Sequence, residues 1–387
     1  MDSAEREGLR QKGNVPNLRF SEFEGEWEEK RLSEIADLFK GNGISKEQLT
    51  DTGEPCILYG ELYTKYKSEV ISNIFSKTDI DTRKLVKSKA NDVIIPCSGE
   101  TAVDIATARC VPYDNILLGG DLNIIRLYDC DGSFMSYQLN GKRKYDIAKV
   151  AQGVSVVHLY GDHLKGVKTY NPCLEEQKKI AKLLSLLDER IATQNKIIED
   201  LKKLKSAISE NLFKAVKGDV VILCEICEII KGKQINGEFL SEKGRYYVMN
   251  GGTEPSGYYS DCNVEANTIS ISEGGNSCGY VQFNSSPFWS GGHCYTIQKL
   301  AENVDNMYLY HYLKSKEDAI MKLRIGSGLP NIQKKDLAMF KIKLPNVEQQ
   351  KSISTFLSSL ERKAEIEEFI QNAMLKEKQY LLQQMFI

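Results

Sequence analysis

The chain has 387 residues, and 51 Lys and Arg stand against 53 Asp and Glu, so its formal net charge is -2. Hydrophobic residues make up 41% and charged residues 27%, a composition typical of globular domains. This composition excludes global disorder and a collagen-like repeat. A membrane protein is excluded because no run of about 18 apolar residues occurs. The length predicts two or three domains. We expect a cytoplasmic protein, because the first residues carry no apolar signal segment.

The ten cysteines are scattered along the chain and do not indicate a disulfide framework. Cys224 and Cys227 form the only close pair, within an apolar stretch. A zinc site would need a second close pair, or histidines at matching spacing. We therefore predict reduced, mostly buried thiols and no metal site.

A long internal repeat covers most of the chain. The offset between the matching segments drifts from 191 at the start of each half to 173 at the end, so the first half is longer in its middle. The matches are 32–41 with 223–232, 118–120 with 290–292, 172–180 with 345–353, and 211–213 with 384–386.

Each half divides again by composition. Residues 16–173 and 218–346 are rich in Gly, Tyr, Asn and Ser, and their short β-like runs are separated by glycine turns. We interpret both as mixed α+β globular domains. Residues 1–15 are polar and are predicted to be a mobile leader.

The segments 174–217 and 347–387 contain neither Pro nor Gly and predict two long helices. Apolar residues recur in both at alternating spacings of four and three, which is typical of a coiled-coil seam. Lys205 recurs as Lys378 on this seam. The apolar seam residues are Ile180, Leu184, Leu187, Ile191, Ile198, Leu201, Ile208, Leu212, Ile353, Leu357, Leu360, Met374, Leu381 and Met385.

A single amphipathic helix of this length would leave its apolar stripe in water, so the two helices should pack on each other. At 1.5 Å per residue each helix would be roughly 60 Å long. The predicted fold is α+β: two similar globular domains separated by a long antiparallel two-helix coiled coil, in a pseudo-twofold internal repeat. The alternative is that each helix packs on its own domain.

The sequence carries no Walker A loop, no dinucleotide-binding glycine motif, no metalloprotease histidine pair and no Gly-x-Ser-x-Gly turn. Tyr170, Asn171 and Pro172 match only part of an adenine-methyltransferase motif. These absences favour a binding module over an enzyme.

Basic and aromatic residues alternate in several polar stretches, as suits phosphate contacts combined with reading of base edges. A solvated charged face is the alternative for each stretch. The near-neutral net charge argues against a non-specific nucleic-acid binder. The DNA-binding candidates are Tyr63, Lys65, Lys67, Lys142, Arg143, Lys144, Tyr258, Tyr259, Lys314, Lys316, Lys322, Arg324, Lys334 and Lys335.

Two variable globular domains, each followed by a long helix, resemble the specificity subunit of type I restriction-modification systems. The opening segment 16–32, which contains Trp27, is similar to the usual start of that family. The helical segments 175–191 and 348–362, which begin Glu-Glu-Gln-Lys and Glu-Gln-Gln-Lys, are similar to its spacers.

The resemblance implies a non-catalytic subunit with a leader (1–15), target-recognition domains (16–173 and 218–346) and helical spacers (174–217 and 347–387). It implies a bipartite, asymmetric double-stranded DNA target. It also implies docking of methyltransferase (modification) subunits, two in number, and of restriction subunits. The assembled complex would be an adenine-N6 DNA methyltransferase and ATP-dependent endonuclease. S-adenosylmethionine, ATP and Mg would be bound by the partners, and no cofactor by this chain. The alternative is a pseudo-symmetric coiled-coil scaffold that binds proteins.

Overall fold

The structure is a computed structural model, and it describes residues 13–153, 156–326 and 330–387. Most of the predicted leader, residues 1–12, therefore lies outside the described residues. The chain divides into two compact units, Met1–Asn195 with Ile370–Ile387, and Lys196–Phe369. Each unit thus contains one part of each long helix. In the described part of the chain no helix is long and apolar enough to cross a membrane.

The first unit contains the first globular domain, which is built from short strands and helices. The strands are β1 Glu28–Arg31, β2 Ala36–Lys40, β3 Leu49–Thr50, β4 Glu54–Ile57, β5 Ser76–Thr78, β6 Val86–Lys87, β7 Asp92–Pro96, β8 Ser98–Gly99, β9 Arg109–Val111, β10 Leu117–Leu118, β11 Leu122–Leu127, β12 Val157–His158 and β13 Lys168–Asn171. The helices are α1 Leu32–Ile35, α2 Glu61–Thr64, α3 Ala102–Ile105, α4 Gly132–Asn140, α5 Lys144–Val150, α6 Gly161–Leu164 and the long α7 Leu174–Ala215, which continues into the second unit.

The second unit contains the second globular domain. The strands are β14 Asp219–Ile222, β15 Glu228–Lys231, β16 Tyr246–Met249, β17 Tyr258–Tyr259, β18 Thr268–Ser272, β19 Val281–Asn284, β20 Trp289–Ser290, β21 Cys294–Gln298 and β22 Lys341–Leu344. The helices are α8 Leu223–Ile226, α9 Asn306–Ser315, α10 Glu317–Met321, α11 Lys334–Ala338 and the long α12 Val347–Gln384, which continues into the first unit.

The internal repeat is confirmed by the strand topology. The central sheet has the order β2-β11-β7-β9 in the first domain and β15-β21-β18-β19 in the second, and its neighbouring strands are antiparallel. Both domains also pair their first and last strands, β1 with β13 and β14 with β22. A further sheet has five strands in the first domain and three in the second, which accounts for the longer middle of the first half.

The middle strands of the central sheet are buried on both faces; β7 fills this position with mainly apolar residues, whereas β18 alternates isoleucines with buried Thr268, Ser270 and Ser272. All five residues of β7 and all five of β18 are buried. In the first domain Val93 and Ile95 join one core cluster, whereas Ile94 joins another. This division follows from the alternation of side chains along a strand.

A buried glutamine fixes the start of each long helix. The Gln177 side chain accepts a hydrogen bond from the Asp131 backbone N–H at 2.9 Å and donates one to the Pro172 carbonyl at 2.9 Å. Gln350 makes the two equivalent bonds at 2.8 Å each. Each glutamine thereby ties its helix to the start of α4 or α9.

Within each unit the two long helices run antiparallel. In the first unit Lys378 Nζ lies 2.6 Å from an Asp188 carboxylate oxygen, and in the second unit Lys205 Nζ lies 2.7 Å from Glu361. Lys202 and Glu368 add a further pair at 2.6 Å in the second unit. The helices also pack on their globular domains, since Leu357 joins the main core cluster of the second domain. Both predicted packing modes therefore occur together.

The predicted seam residues lie on the inner side of each helix. Ile180, Leu184, Ile191 and Ile198 are buried on α7, and Ile353, Leu357, Met374 and Met385 are buried on α12. The half-buried members of the seam are Leu187, Leu201, Ile208, Leu212, Leu360 and Leu381.

Glycine recurs after the first strand of the central sheet because the backbones approach each other closely there. A Cβ on Gly41 would lie 2.0 Å from the Gly119 carbonyl oxygen, and a Cβ on Gly232 would lie 2.1 Å from the Gly291 carbonyl oxygen. No side chain fits at either position unless the backbone moves.

We expect Gly232→Ala to lower the free energy of unfolding by about 1–3 kcal/mol, because the new methyl group forces the backbone apart. Gly237→Ala is the matched control, since a Cβ there meets nothing within 4 Å. Urea unfolding of both variants measures the difference. Equal stability of the two variants would contradict this explanation of the glycine.

Candidate nucleic-acid interface

The same edge of the central sheet gathers charged residues in both domains. In the second domain β15 and β18 end at the edge where β21 begins, because both strands are antiparallel to β21. Lys231 ends β15, Glu273 follows β18 and His293 precedes β21. The chain therefore brings three titratable side chains from distant positions to one edge.

Glu273 is the centre of this group and is only 6% exposed. Its Oε1 accepts hydrogen bonds from Lys231 Nζ at 2.5 Å and from the Tyr295 hydroxyl at 2.9 Å. Its Oε2 lies 3.6 Å from His293 Nδ1 and has no hydrogen-bond partner among the described residues. The Lys231 side chain is 51% exposed and that of His293 is 62% exposed. The buried Glu273 carboxylate thus binds the exposed Lys231 side chain and lies beside the exposed His293 ring.

Two backbone hydrogen bonds fix Glu273 in place. Its N–H donates to the His293 carbonyl at 2.9 Å, and its carbonyl accepts from the Ile332 N–H at 2.8 Å. The Tyr295 hydroxyl lies 3.0 Å from the Ile332 carbonyl as well. Burial, aided by the neighbouring carboxylate, raises the pKa of Tyr295, so this hydroxyl stays protonated.

The first domain repeats this backbone frame with different side chains. The Cys97 N–H donates to the Asp121 carbonyl at 2.7 Å, and the Cys97 carbonyl accepts from the Leu159 N–H at 2.8 Å. Asn123 Nδ2 donates to the Leu159 carbonyl at 2.9 Å, in the place of the tyrosine hydroxyl. Lys40 is the last residue of β2, just as Lys231 is the last residue of β15.

The chemistry of the two edges therefore differs. Burial raises the pKa of the Cys97 thiol to about 11, which keeps it uncharged where the second domain has a carboxylate. Lys40 and Asp121, both exposed, lower and raise that pKa respectively, so both lie near the thiol. The first edge exposes a lysine and an aspartate, and the second exposes a lysine and a histidine.

The predicted DNA-binding residues around position 65 lie partly near this edge. The Tyr63 hydroxyl donates to the Ser98 carbonyl at 2.9 Å, next to the first edge, and burial raises its pKa to about 12. Lys65 pairs with Glu61 at 2.6 Å. Lys67 is exposed. Their role in DNA binding stays a prediction.

The basic triplet lies at the start of α5, and its central residue is engaged inside the first unit. Arg143 donates to the Ile387 carbonyl at 2.7 Å, contacts Asp146 at 3.2 Å and stacks 5.2 Å from the Tyr170 ring. Arg143 therefore holds the last described residue in place. Lys142 is exposed and Lys144 is half-buried.

In the second domain Lys314 is likewise engaged. Its ammonium donates to the Val281 carbonyl at 2.9 Å and to Glu317 at 3.0 Å, and it lies 3.8 Å from the Tyr280 ring centroid. Lys316 is half-buried.

The remaining candidates of the second domain are more open. Tyr258 and Tyr259 form β17, and the Tyr259 ring packs against Trp289 at 5.1 Å. Arg324 lies next to Ile325, in a loop that reaches the second edge through bridges to residue 331. The exposed members are Lys322, Arg324, Lys334 and Lys335.

The sequence alone does not predict the groups at the two edges. The repeat matches 32–41 with 223–232 and 118–120 with 290–292 contain Lys40, Lys231 and several glycines, and the second pair predicts only turns. No spacing rule connects Glu273 with Lys231 or His293, because only the fold brings them together.

A second repeated feature lies where each long helix meets a globular domain. The Tyr137 hydroxyl donates to Asp188 at 2.7 Å, and Asp188 in turn contacts Lys378. Lys378 also binds Glu69. Burial and the Glu69 charge raise the pKa of Asp188.

The second unit repeats this feature with Tyr310, whose hydroxyl donates to Glu361 at 3.0 Å. Its neighbour His311 is buried, and Nε2 lies 2.9 Å from the Ser358 hydroxyl. Burial lowers the pKa of His311 to about 4, although the negative charge of Glu361 acts to raise it.

We expect the folded protein to lose stability below pH 6.5, because unfolding lets His311 take up a proton that the core rejects. The loss from this group alone is about 2 kcal/mol between pH 6.5 and pH 4.5, and almost none is expected above about pH 7.5. His311→Gln introduces the glutamine that the first domain has at the equivalent position 138. This variant should lose less stability between the two pH values, as measured by urea unfolding.

His158→Gln is the control, since His158 is exposed and its loss should leave the pH dependence unchanged. An equally steep loss in wild type and His311→Gln would contradict the assignment to His311.

The long helices expose several large apolar residues outside the seam, and these are together called the outer apolar residues. In the first unit they are Leu183, Leu186, Leu375 and Tyr380, and in the second Ile197, Leu204, Phe356, Ile366 and Phe369. Phe369 is 74% exposed. Such exposed apolar side chains are typical of a surface that binds a partner.

Cysteines form neither disulfides nor metal sites in the described residues. All ten are free, and no group of three or more potential ligands is close enough to hold a metal ion. Burial raises the pKa of Cys227 to about 12, whereas Cys224 is exposed.

Comparisons with known proteins agree on one family. The model of the type I restriction modification DNA specificity domain matches twice, over residues 24–203 and 216–376. A putative type I restriction enzyme specificity subunit of Methanocaldococcus jannaschii is 25% identical, with 91% of both chains covered. A putative type I specificity subunit of Mycoplasma pneumoniae is 33% identical over 165 residues, and the match spans only 42% of each chain.

Solved structures share the fold. The S subunit of a type I restriction-modification system from M. genitalium superposes with a TM-score of 0.68 at 20% identity, over 96% of this chain and 99% of that one. A chain from a study of type I complex assembly and conformational transition gives 0.56 at 18% identity, over 93% and 97%. Specificity subunits are the non-catalytic components of these systems, and with two family matches over most of its length the chain belongs to the type I restriction-modification DNA specificity family.

Proposed function

We propose that this chain recognises a bipartite, asymmetric sequence in double-stranded DNA, with one half read by each globular domain. The observation that carries the proposal is the sheet edge: one backbone frame presents Lys40 and Asp121 in the first domain but Lys231 and His293 in the second. Equal frames with unequal side chains suit two related surfaces that read different bases, because base edges are distinguished by their donors and acceptors.

We further propose that the long helices dock methyltransferase subunits, two per chain, and that restriction subunits join the complex. The outer apolar residues support this, since they are exposed on both helices and lie outside the seam. The near-neutral charge of the chain also fits, because partner subunits would supply many of the phosphate contacts. S-adenosylmethionine, ATP and Mg would be held by those partners, in a cytoplasmic complex.

Methylation mapping tests the recognition proposal. Coexpression of this chain with the modification subunit encoded beside it, in a host without DNA methylation, should yield one split, asymmetric motif with modified adenine on both strands. Exchange of residues 16–173 for those of another specificity subunit should change one half of the motif alone.

If the assembled complex bound S-adenosylmethionine yet modified no sequence, the recognition proposal would fail. A protein-binding coiled-coil scaffold would then be the better hypothesis. A change in both halves after exchange of one domain would instead remove the assignment of one half-site to each domain.

The docking surface is tested by Leu186→Glu combined with Phe369→Glu. Both side chains are exposed, so the variant should fold, but a charge on each should lower copurification with the modification subunit at least tenfold. Phe239→Glu is the matched control, since Phe239 is a similarly exposed aromatic residue outside the two long helices. Undiminished copurification of the double variant would exclude these two positions from the interface.

A further inference from the structure

We propose that Lys231 and His293 contact DNA bases in the second half-site, and that Glu273 is the positioning residue that orders the Lys231 ammonium. The inference rests on the proposed function and goes further, because it names the side chains and the base chemistry they recognise. It predicts a guanine in the half-site that the second domain reads.

Glu273 is buried although it carries a carboxyl group. A carboxylate that is 6% exposed is costly unless it is paired, and a merely structural pairing would satisfy both oxygens inside the core. Here one oxygen binds Lys231 and Tyr295, whereas Oε2 faces His293 without a hydrogen bond from any described residue. The charge is therefore directed toward the surface side chains of the edge.

The contact with Glu273 orders the Lys231 side chain. A free lysine side chain samples many rotamers, and ordering it on DNA costs conformational entropy. The 2.5 Å contact with Glu273 orders the Lys231 ammonium in advance, while about half of the side chain stays exposed. The remaining N–H groups of the ammonium can reach an acceptor outside the protein.

The donors of the ordered lysine match the acceptors on the edge of a guanine base. Guanine presents two adjacent acceptors, N7 and O6, in the major groove, and lysine is one of the residues that bind them. Lys231 supplies donors from one loop, and the His293 ring, in the neighbouring loop, can donate through Nε2 in its Nε2–H tautomer. In the first domain the exposed Asp121 takes the histidine position and supplies an acceptor, which fits the amino group of cytosine or adenine.

The experiment maps the methylated motif of the assembled complex with wild type, Lys231→Ala, His293→Ala and Glu273→Gln. We expect each variant to lose discrimination about tenfold at a guanine in one half of the motif, with the other half unchanged. The unchanged half shows that every variant still folds and assembles. Because the two alanine variants alter exposed side chains, they carry the test if Glu273→Gln is destabilised.

Lys299→Ala is the matched control. Lys299 is 71% exposed and pairs with Glu228 at 3.0 Å, at the opposite end of β15 from Lys231. Its motif should equal that of wild type. If wild type gives a motif that Lys231→Ala and His293→Ala leave unchanged, this inference is wrong and the proposed function stands. If wild type methylates no motif, both fall together.

Discussion

The antiparallel contact between the long helices is the constraint on which the rest of the structure depends. Each compact unit is completed by residues from a distant part of the chain. In the first unit Met385 and Phe386 pack with Trp27 and Phe134 in one buried cluster. In the second, Phe213 of α7 joins the domain core. The globular domains therefore do not form their cores from their own segments alone.

Charges set the register of this contact where the apolar seam alone would tolerate sliding. Lys205 and Lys378 are equivalent in the repeat, and each binds an acid on the other helix within its own unit. The same acids, Glu361 and Asp188, accept a tyrosine hydroxyl from the globular domain. In each unit the lysine, the acid and the tyrosine thus connect the two long helices with the globular domain. A buried charged cluster of this kind is stable only when its hydrogen-bond geometry is good.

The long helices and the repeat could be predicted from sequence because their signals are periodic or recur in order. The 4-3 spacing needs no knowledge of the fold, and glycine recurs at positions 41 and 232, where the structure shows a close backbone approach. Glu273 could not be predicted, since its burial depends on loops that follow three different strands. The contact of Arg143 with the Ile387 carbonyl could not be predicted either, because it joins residues far apart in the chain, and a DNA contact of the basic triplet stays a prediction.

The central claim is that two equal backbone frames with different side chains read two different half-sites. It is tested most directly by equilibrium binding of the assembled complex to duplexes in which either half of the mapped motif is scrambled. The account predicts that each scrambled duplex binds at least tenfold more weakly than the intact one, at the same salt concentration. Equal affinity for the intact and both scrambled duplexes would contradict it.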